Sequence, residues 1–171
     1  RRAVMTIAAV AAVAALFFFY MEKRSYHNYK ILSASEQEDV VATNYVEMSG
    51  KILRYSSDGA SLVSDTMDAY WSTLYEMQNP VADVRGDRAV IADQDGTLLE
   101  MFDKDGETGS VTTSYNIIKA RVSSSGMVAA ILDGGDATWI NFYGSDGTLV
   151  AENQTHLADP GYPLDVAVSD S

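Results

Sequence analysis

The chain contains no cysteine, so neither a disulfide framework nor thiolate chemistry is open to it. Histidine is nearly absent as well. His27 lies just past the apolar N-terminal run and His156 lies beside Asp159 and Pro160; neither has a partner at ligand or triad spacing. No Gly-x-Ser-x-Gly, Ser-x-x-Lys, phosphate-binding glycine loop or metalloprotease helix occurs. These absences leave no catalytic residue, no cofactor-binding residue and no metal ligand to nominate. Basic residues are scarce too. Past Arg24 there are 8 of them against 23 acidic residues, a net charge of −15 (8 − 23), within a whole-chain charge of −12 and a pI near 4.3. A field of that sign repels nucleic acid and anionic membrane surfaces, and it favours solubility or cation-rich partners. Convincing 3.6-residue periodicity is missing from everything beyond the first run.

One long hydrophobic run is present. Residues Ala3 to Met21 hold a single polar side chain, Thr6. As a helix rising about 1.5 Å per residue the run spans roughly 28 Å, the hydrocarbon thickness of a bilayer. Phe17, Phe18, Phe19 and Tyr20 cluster at its end, with Tyr26 and Tyr29 beyond, as in an interfacial aromatic belt. A cleavable signal peptide would show a shorter apolar core and small residues at a cleavage site; here Phe-Phe-Phe-Tyr-Met-Glu-Lys-Arg follows. The reading is therefore an uncleaved anchor: a cytoplasmic stub at 1–2, a transmembrane helix at 3–21 and a polar linker at 22–39. Arg1 and Arg2 flank one side, while Lys23, Arg24 and Lys30 flank the other, so the visible charges do not decide orientation. A short basic N-terminus would leave the start in the cytoplasm and the rest outside. Ala8/Ala12 and Ala11/Ala15 have small-xxx-small spacing, which arises by chance in so alanine-rich a span.

From residue 40 to 171 the chain is repetitive. Turn glycines Gly50, Gly86 and Gly126 recur at intervals of 36 and 40 residues. Second turns follow at Asp58-Gly59, Asp95-Gly96 and Asp133-Gly134-Gly135-Asp136. Third turns follow at Asp65-Thr66-Met67-Asp68, Asp103-Lys104-Asp105-Gly106 and Gly144-Ser145-Asp146-Gly147. Three turns per unit leave four short strands per unit, the signature of a propeller blade. The runs between turns are short and rich in Val, Ile, Leu and aromatic residues. The first strand-like stretch covers 40–48. Unit one continues with 51–56, 60–64 and 70–76. Unit two is placed at 81–84, 88–93, 98–102 and 110–114, and unit three at 117–122, 127–132, 139–143 and 149–153. Only the opening strand, 164–168, remains of a fourth unit. Residues 89–92 and 128–132 are apolar on both faces, as strands buried between neighbouring blades are. Pro80 and Pro163 each stand just before an opening strand, where a missing N–H costs little. The fold class expected is all-β, with about three four-stranded propeller-like blades, incomplete, preceded by one transmembrane α-helix. Extending the glycine register places the next turn glycine just past Ser171, so a longer protein is expected.

Several residues invite chemistry and have a plainer role. Asp93-Gln94-Asp95-Gly96 and Asp103-Lys104-Asp105-Gly106 cluster carboxylates suited to a hard cation, but neither continues into the spaced ligands and terminal Glu of an EF-hand loop. Asp-Gly is also the commonest tight-hairpin pair, so turn chemistry is the reading. Trp71 and Trp139 read as packing between blades rather than as ligand platforms. Asn153-Gln154-Thr155 fits a glycosylation sequon, which matters only in a eukaryotic secretory pathway.

Three stretches carry a resemblance: Ile52-Leu53-Arg54-Tyr55-Ser56-Ser57-Asp58-Gly59, Tyr75-Glu76-Met77-Gln78-Asn79-Pro80-Val81 and Gly161-Tyr162-Pro163-Leu164-Asp165-Val166-Ala167. On these the chain resembles uncharacterised, membrane-anchored, propeller-like proteins of Gram-positive anaerobic bacteria that carry a domain-of-unknown-function label. The resemblance implies a single N-terminal anchor, an extracytoplasmic propeller and a longer C-terminal part. It transfers no catalytic or binding residue. Unit one departs from the pattern, because Ser64-Asp65-Thr66-Met67-Asp68 lacks the expected turn glycine. More distantly, the repeats look like quinoprotein-type or WD-type propellers.

The function expected is a membrane-anchored, extracytoplasmic binding module for an envelope protein, peptide or glycan, without cofactor and without nucleic acid. An enzyme, either a hydrolase or a quinone-type oxidoreductase with its active site in further blades, is the alternative. A sensory or accessory domain of an envelope complex is the third reading.

Overall fold

The computed structural model describes residues 42–156, 163 and 165–169, though not the His156 side chain. The stub at 1–2, the membrane helix at 3–21, the linker at 22–39 and His27 lie outside the described residues. Among those described, no helix is long and apolar enough to cross a membrane.

Among the described residues twelve strands form three sheets of four. The first contains β1 (Asn44–Met48), β2 (Lys51–Ser56), β3 (Gly59–Val63) and β4 (Ala69–Leu74). The second contains β5 (Pro80–Arg85), β6 (Arg88–Asp93), β7 (Leu98–Asp103) and β8 (Gly106–Thr112). The third contains β9 (Asn116–Val122), β10 (Val128–Asp133), β11 (Ala137–Tyr143) and β12 (Leu149–His156). Each sheet is an antiparallel meander in sequence order. The all-β expectation and its three four-stranded units therefore hold.

The turns explain why. Each of the nine hairpin connections among the described residues carries a residue with positive φ, most of them glycine. The connection in unit one that lacks a glycine still closes. Met67 takes φ 67° there, and the amides of Met67 and Ser64 donate to the carbonyls of Ser64 and Asp68. Side chains stabilise that conformation: Ser64 Oγ accepts from the amides of Thr66 and Asp68, and Thr66 Oγ1 donates to Asp68 Oδ2 at 2.7 Å.

Several strand bounds differ from expectation: β1 opens at Asn44 rather than 40, β4 ends at Leu74 rather than 76, and β11 opens at Ala137 rather than 139. β8 begins at Gly106, four residues early, because the Asp103 carboxylate closes its turn by accepting the amides of Asp105 and Gly106. β12 runs on to His156, since Thr138 and Ala137 of β11 still offer partners to Thr155 and His156. Of the stretch 164–168, expected as the opening strand of a fourth unit, residues 165–168 are described and form no strand.

The sheets stack face to face. Between the first and second, Met48, Leu53, Leu62, Met77, Ile91 and Phe102 are buried together. Between the second and third, Val90, Leu99, Met101, Ile117, Val128 and Leu132 form the matching layer. Each large apolar side chain so buried contributes roughly 1.5–3 kcal/mol. The doubly apolar runs 89–92 and 128–132 are indeed buried on both faces. Trp71 of β4 stacks on Phe102 of β7 with centroids 5.1 Å apart and planes 4° from parallel, so it packs between sheets as expected. Along one edge of the stack β1 meets β5 and β5 meets β9; along the other β4 meets β8. Three up-and-down sheets stacked with their first strands along one edge are propeller-like in arrangement.

Candidate functional site

The edge where β1, β5 and β9 run side by side is where the sequence places its least routine side chains. β5 starts on Pro80, whose missing N–H removes one ladder donor at the rim. Upstream, the connection from the first sheet is held by backbone bonds: the Tyr75 amide donates to the Asp58 carbonyl and the Met77 amide to the Ser57 carbonyl. Met77 then plugs the core between the two sheets.

Asp93, at the end of β6, ties its own turn to the connection that precedes β5. Its Oδ1 accepts the amides of Gln78 at 2.9 Å and Asn79 at 2.7 Å. Its own carbonyl accepts the Gly96 amide, closing the turn in which Asp95 sits at φ 66°. A side chain at position 96 has no room, since a Cβ there would fall on the Asp93 carboxylate. The Gln94 amide donates to the Asn79 carbonyl at 2.9 Å, and the Asp95 amide to the Ile117 carbonyl at 2.9 Å. One turn thus ties the incoming connection, β6 and β9 together. Asp93 and Asp95 sit in a turn closed by backbone bonds, the Asp103 carboxylate closes its own turn, and the Asp93 carboxylate fixes a neighbouring segment. Among the described residues no group of three or more His, Cys, Asp or Glu is arranged to hold a metal ion.

Around this turn three recesses follow the length of β5. At the rim, a pocket of about 510 Å³ is lined by Asn44, Ser57, Gln78, Asn79, Gln94 and Asp95, with Pro80 and Val81 beneath. Val81 and Gln94 also line the next recess, of about 280 Å³, which runs past Ala82, Asp83 and the 117–121 stretch of β9. Asp83 and Arg121 are shared in turn with a third, of about 230 Å³, bounded by Val84, Arg85, Val122 and residues 165–168. Through these shared residues the recesses succeed one another as a track along a six-residue strand, a length of about 20 Å at roughly 3.3 Å per residue.

The far end of the track is charged. Asp83 Oδ1 accepts Arg121 Nη1 at 2.7 Å while its Oδ2 accepts the Val122 amide at 2.9 Å, so one carboxylate of the second sheet holds the third. Asp165 pairs with Lys119 at 3.1 Å and with Arg121 at 3.4 Å. Those two cations, with the amide of Val166, hold the Asp165 carboxyl down at about 2. The Asp83 and Asp165 carboxylates in turn raise the Arg121 guanidinium. Arg85, Lys119 and Arg121 are three of only seven basic residues after position 41 (12 in the chain less Arg1, Arg2, Lys23, Arg24 and Lys30).

A separate polar group lies between the first two sheets. Glu100 of β7 is 6% exposed; its Oε1 accepts the Ser110 hydroxyl at 2.9 Å, and its Oε2 has no partner among the described residues. Burial raises its pKa, against the Ser110 bond and with help from Glu107. The Tyr75 phenol is pushed well up by burial, then by Tyr55 and Glu100. Trp139 stacks on Tyr115 with centroids 5.7 Å apart, inside its own unit, and packs against the core of the second and third sheets. Thr155 of the Asn153-Gln154-Thr155 triplet donates to the Thr138 carbonyl on the edge strand β12.

With the geometry in view, relatives can be placed. Residues 22–171 match a single family description. The chain belongs to DUF5711, a family of unknown function. No curated protein matches the sequence significantly. Among solved structures, the Neurospora crassa Pan2 WD40 domain is 13% identical over 65% of this chain, with a TM-score of 0.44. Kluyveromyces lactis Hsv2 is 12% identical over 66% of it, with a TM-score of 0.37. This DUF5711 chain spans 35% of the length of each of those two structures.

Sequence reasoning nominated none of the track residues. Asn44, Gln78 and Gln94 come from three separate segments, and Asp83, Lys119, Arg121 and Asp165 from three more, with no spacing signature to link them. The one usable signal was the quoted stretch Tyr75–Val81, which supplies Gln78, Asn79, Pro80 and Val81 to the pocket.

Proposed function

We propose that this chain is a binding module held at a membrane and facing outward, and that a partner lies along the β5 track. The observation that carries the reading is the continuity of that track from the carboxamide-lined rim to the charged end. A recess as long as an extended strand suits an extended ligand, and its walls are set before binding by the Asp93 and Asp83 carboxylates, which lowers the ordering cost. Support for the anchor comes from the 19-residue apolar run at 3–21, long enough to span a bilayer. The strongly acidic remainder keeps such a domain off anionic lipid.

The test places a photo-crosslinking residue in the full-length protein at its native membrane. Val81 and Ile118 sample the track, and Leu74 and Leu149 sample the outer strands β4 and β12. Discrete adducts from Val81 and Ile118 are expected. Adducts from Leu74 and Leu149 alone would overturn the assignment.

A further inference from the structure

We infer that the rim pocket at the head of the track is a saccharide site, which seats a neutral sugar ring through the carboxamides of Asn44, Gln78 and Gln94 and the carboxylate of Asp95. This deepens the binding-module reading and rests on it. Four observations carry it.

The first is which polar groups remain available. Four backbone amides around the pocket are spent: Gln78 and Asn79 donate to Asp93, Gln94 to the Asn79 carbonyl, and Asp95 to the Ile117 carbonyl. A peptide adding itself as a strand would have to use the free edges of β1 and β5 instead of these amides. The side-chain amides of Asn44, Gln78 and Gln94, in contrast, make no hydrogen bond among the described residues.

The second is the kind of group they are. A carboxamide carries two donors and an acceptor at one tip, and a sugar hydroxyl is likewise donor and acceptor. Three carboxamides and one carboxylate around a concavity match a ring bearing several adjacent hydroxyls.

The third is charge. Among the described residues no cation lines the pocket and Asp95 does, so phosphate, sulfate and carboxylate ligands are disfavoured while neutral ones are not. The cations Lys119 and Arg121 belong to the other end of the track.

The fourth is shape and rigidity. At about 510 Å³ the pocket lies within the 300–1,000 Å³ usual for small-ligand sites. Pro80 and the half-exposed Val81 add apolar lining that the C–H face of a ring can meet. The Asp95 backbone is held at positive φ by its own amide bond, which fixes where its side chain leaves the turn.

The experiment titrates purified full-length protein, in detergent micelles, with neutral glucose-based and N-acetylglucosamine-based disaccharides and their sulfated forms, read by calorimetry. Saturable binding of a neutral disaccharide is expected, with weaker binding of its sulfated form. Gln78→Ala and Gln94→Ala should each weaken binding by about tenfold, the loss of one or two hydrogen bonds. Both side chains are exposed, so the unfolding midpoint should not move. As a check independent of the variants, the side-chain amide resonances of Gln78 and Gln94 should shift on titration of the wild type. Absence of saturable binding across the panel overturns the inference, as does a Gln78→Ala/Gln94→Ala double variant that binds normally. Extended peptides that bind in a Gln78-dependent way overturn the saccharide class and leave the module reading standing. That reading fails separately, through the cross-links at Val81 and Ile118.

Discussion

Glu100 is a residue at odds with its surroundings. Leu98 and Phe102 share its face of β7, and Leu99 and Met101 pack the other face, so the strand is buried on both sides and the carboxyl falls inside. The groups acting on it are burial, the Ser110 hydroxyl and Glu107, none of them a cation. Its pKa in the fold therefore lies above that of the unfolded chain. For an acid raised in this way, the unfolded state gains by ionising first, so stability is greatest below the ordinary glutamate range and falls as pH rises through the folded value. Glu100→Gln keeps the Ser110 partner and removes the charge. Its thermal midpoint should exceed that of the wild type at pH 8, and the gap should close by pH 4. A constant gap across that range would place the effect elsewhere than in ionisation. Nothing in Leu-Leu-Glu-Met-Phe distinguishes this glutamate from a solvated one on an alternating strand, because its burial depends on a facing sheet some thirty residues away in sequence. Asp93 was equally illegible: its neighbours Gln94, Asp95 and Gly96 announce a turn, but its bonds to Gln78 and Asn79 reach back across the chain.

At the scale of elements, the turns were the legible part. Asp-Gly and Ser-Gly pairs act locally, through backbone angles that need no tertiary partner, so strand number and order could be read directly. The Ser64–Asp68 connection shows the limit, since hydroxyl and carboxylate bonds there do what a glycine does elsewhere. The start of β8 was missed for a related reason. Gly106-Glu107-Thr108-Gly109 has poor strand propensity, and it is pairing with β7, interrupted by a bulge between Met101 and Phe102, that makes it a strand. Gly109 also has a use that sequence does not reveal. A Cβ at that position would run into the backbone of Asp146 and Gly147, in the β11–β12 turn of the third sheet. Gly109→Ala should push the second and third sheets apart at that corner, at a cost of about 1–3 kcal/mol for overpacking, measurable by denaturant unfolding. Gly86→Ala makes a useful comparison, because no atom lies near its Cβ position and any loss there reports the φ of 63° alone.

For the whole molecule, the division between what was legible and what was not follows the range of the interactions. Sheet composition came through because every ladder joins strands adjacent in sequence. The track did not, because it is made where sheets meet, by side chains drawn from β1, the 75–79 connection, β6 and β9. The proposed anchor belongs to this scale as well. A reporter fused after residue 40 in the full-length protein should be active only on the outer side of the membrane; activity in the cytoplasm would sink the outward-facing reading.

The same adjacency has a kinetic consequence. Every strand pair among the described residues is a hairpin, so each pair has little loop entropy to overcome before it forms, while contacts between sheets come later. Each sheet can close once its own stretch of some forty residues is available, and it then offers a finished face on which the next can condense. For a protein delivered across a membrane from its N-terminal end, the order of emergence and the order of assembly would coincide, so no sheet has to wait for a partner strand that has not yet been made.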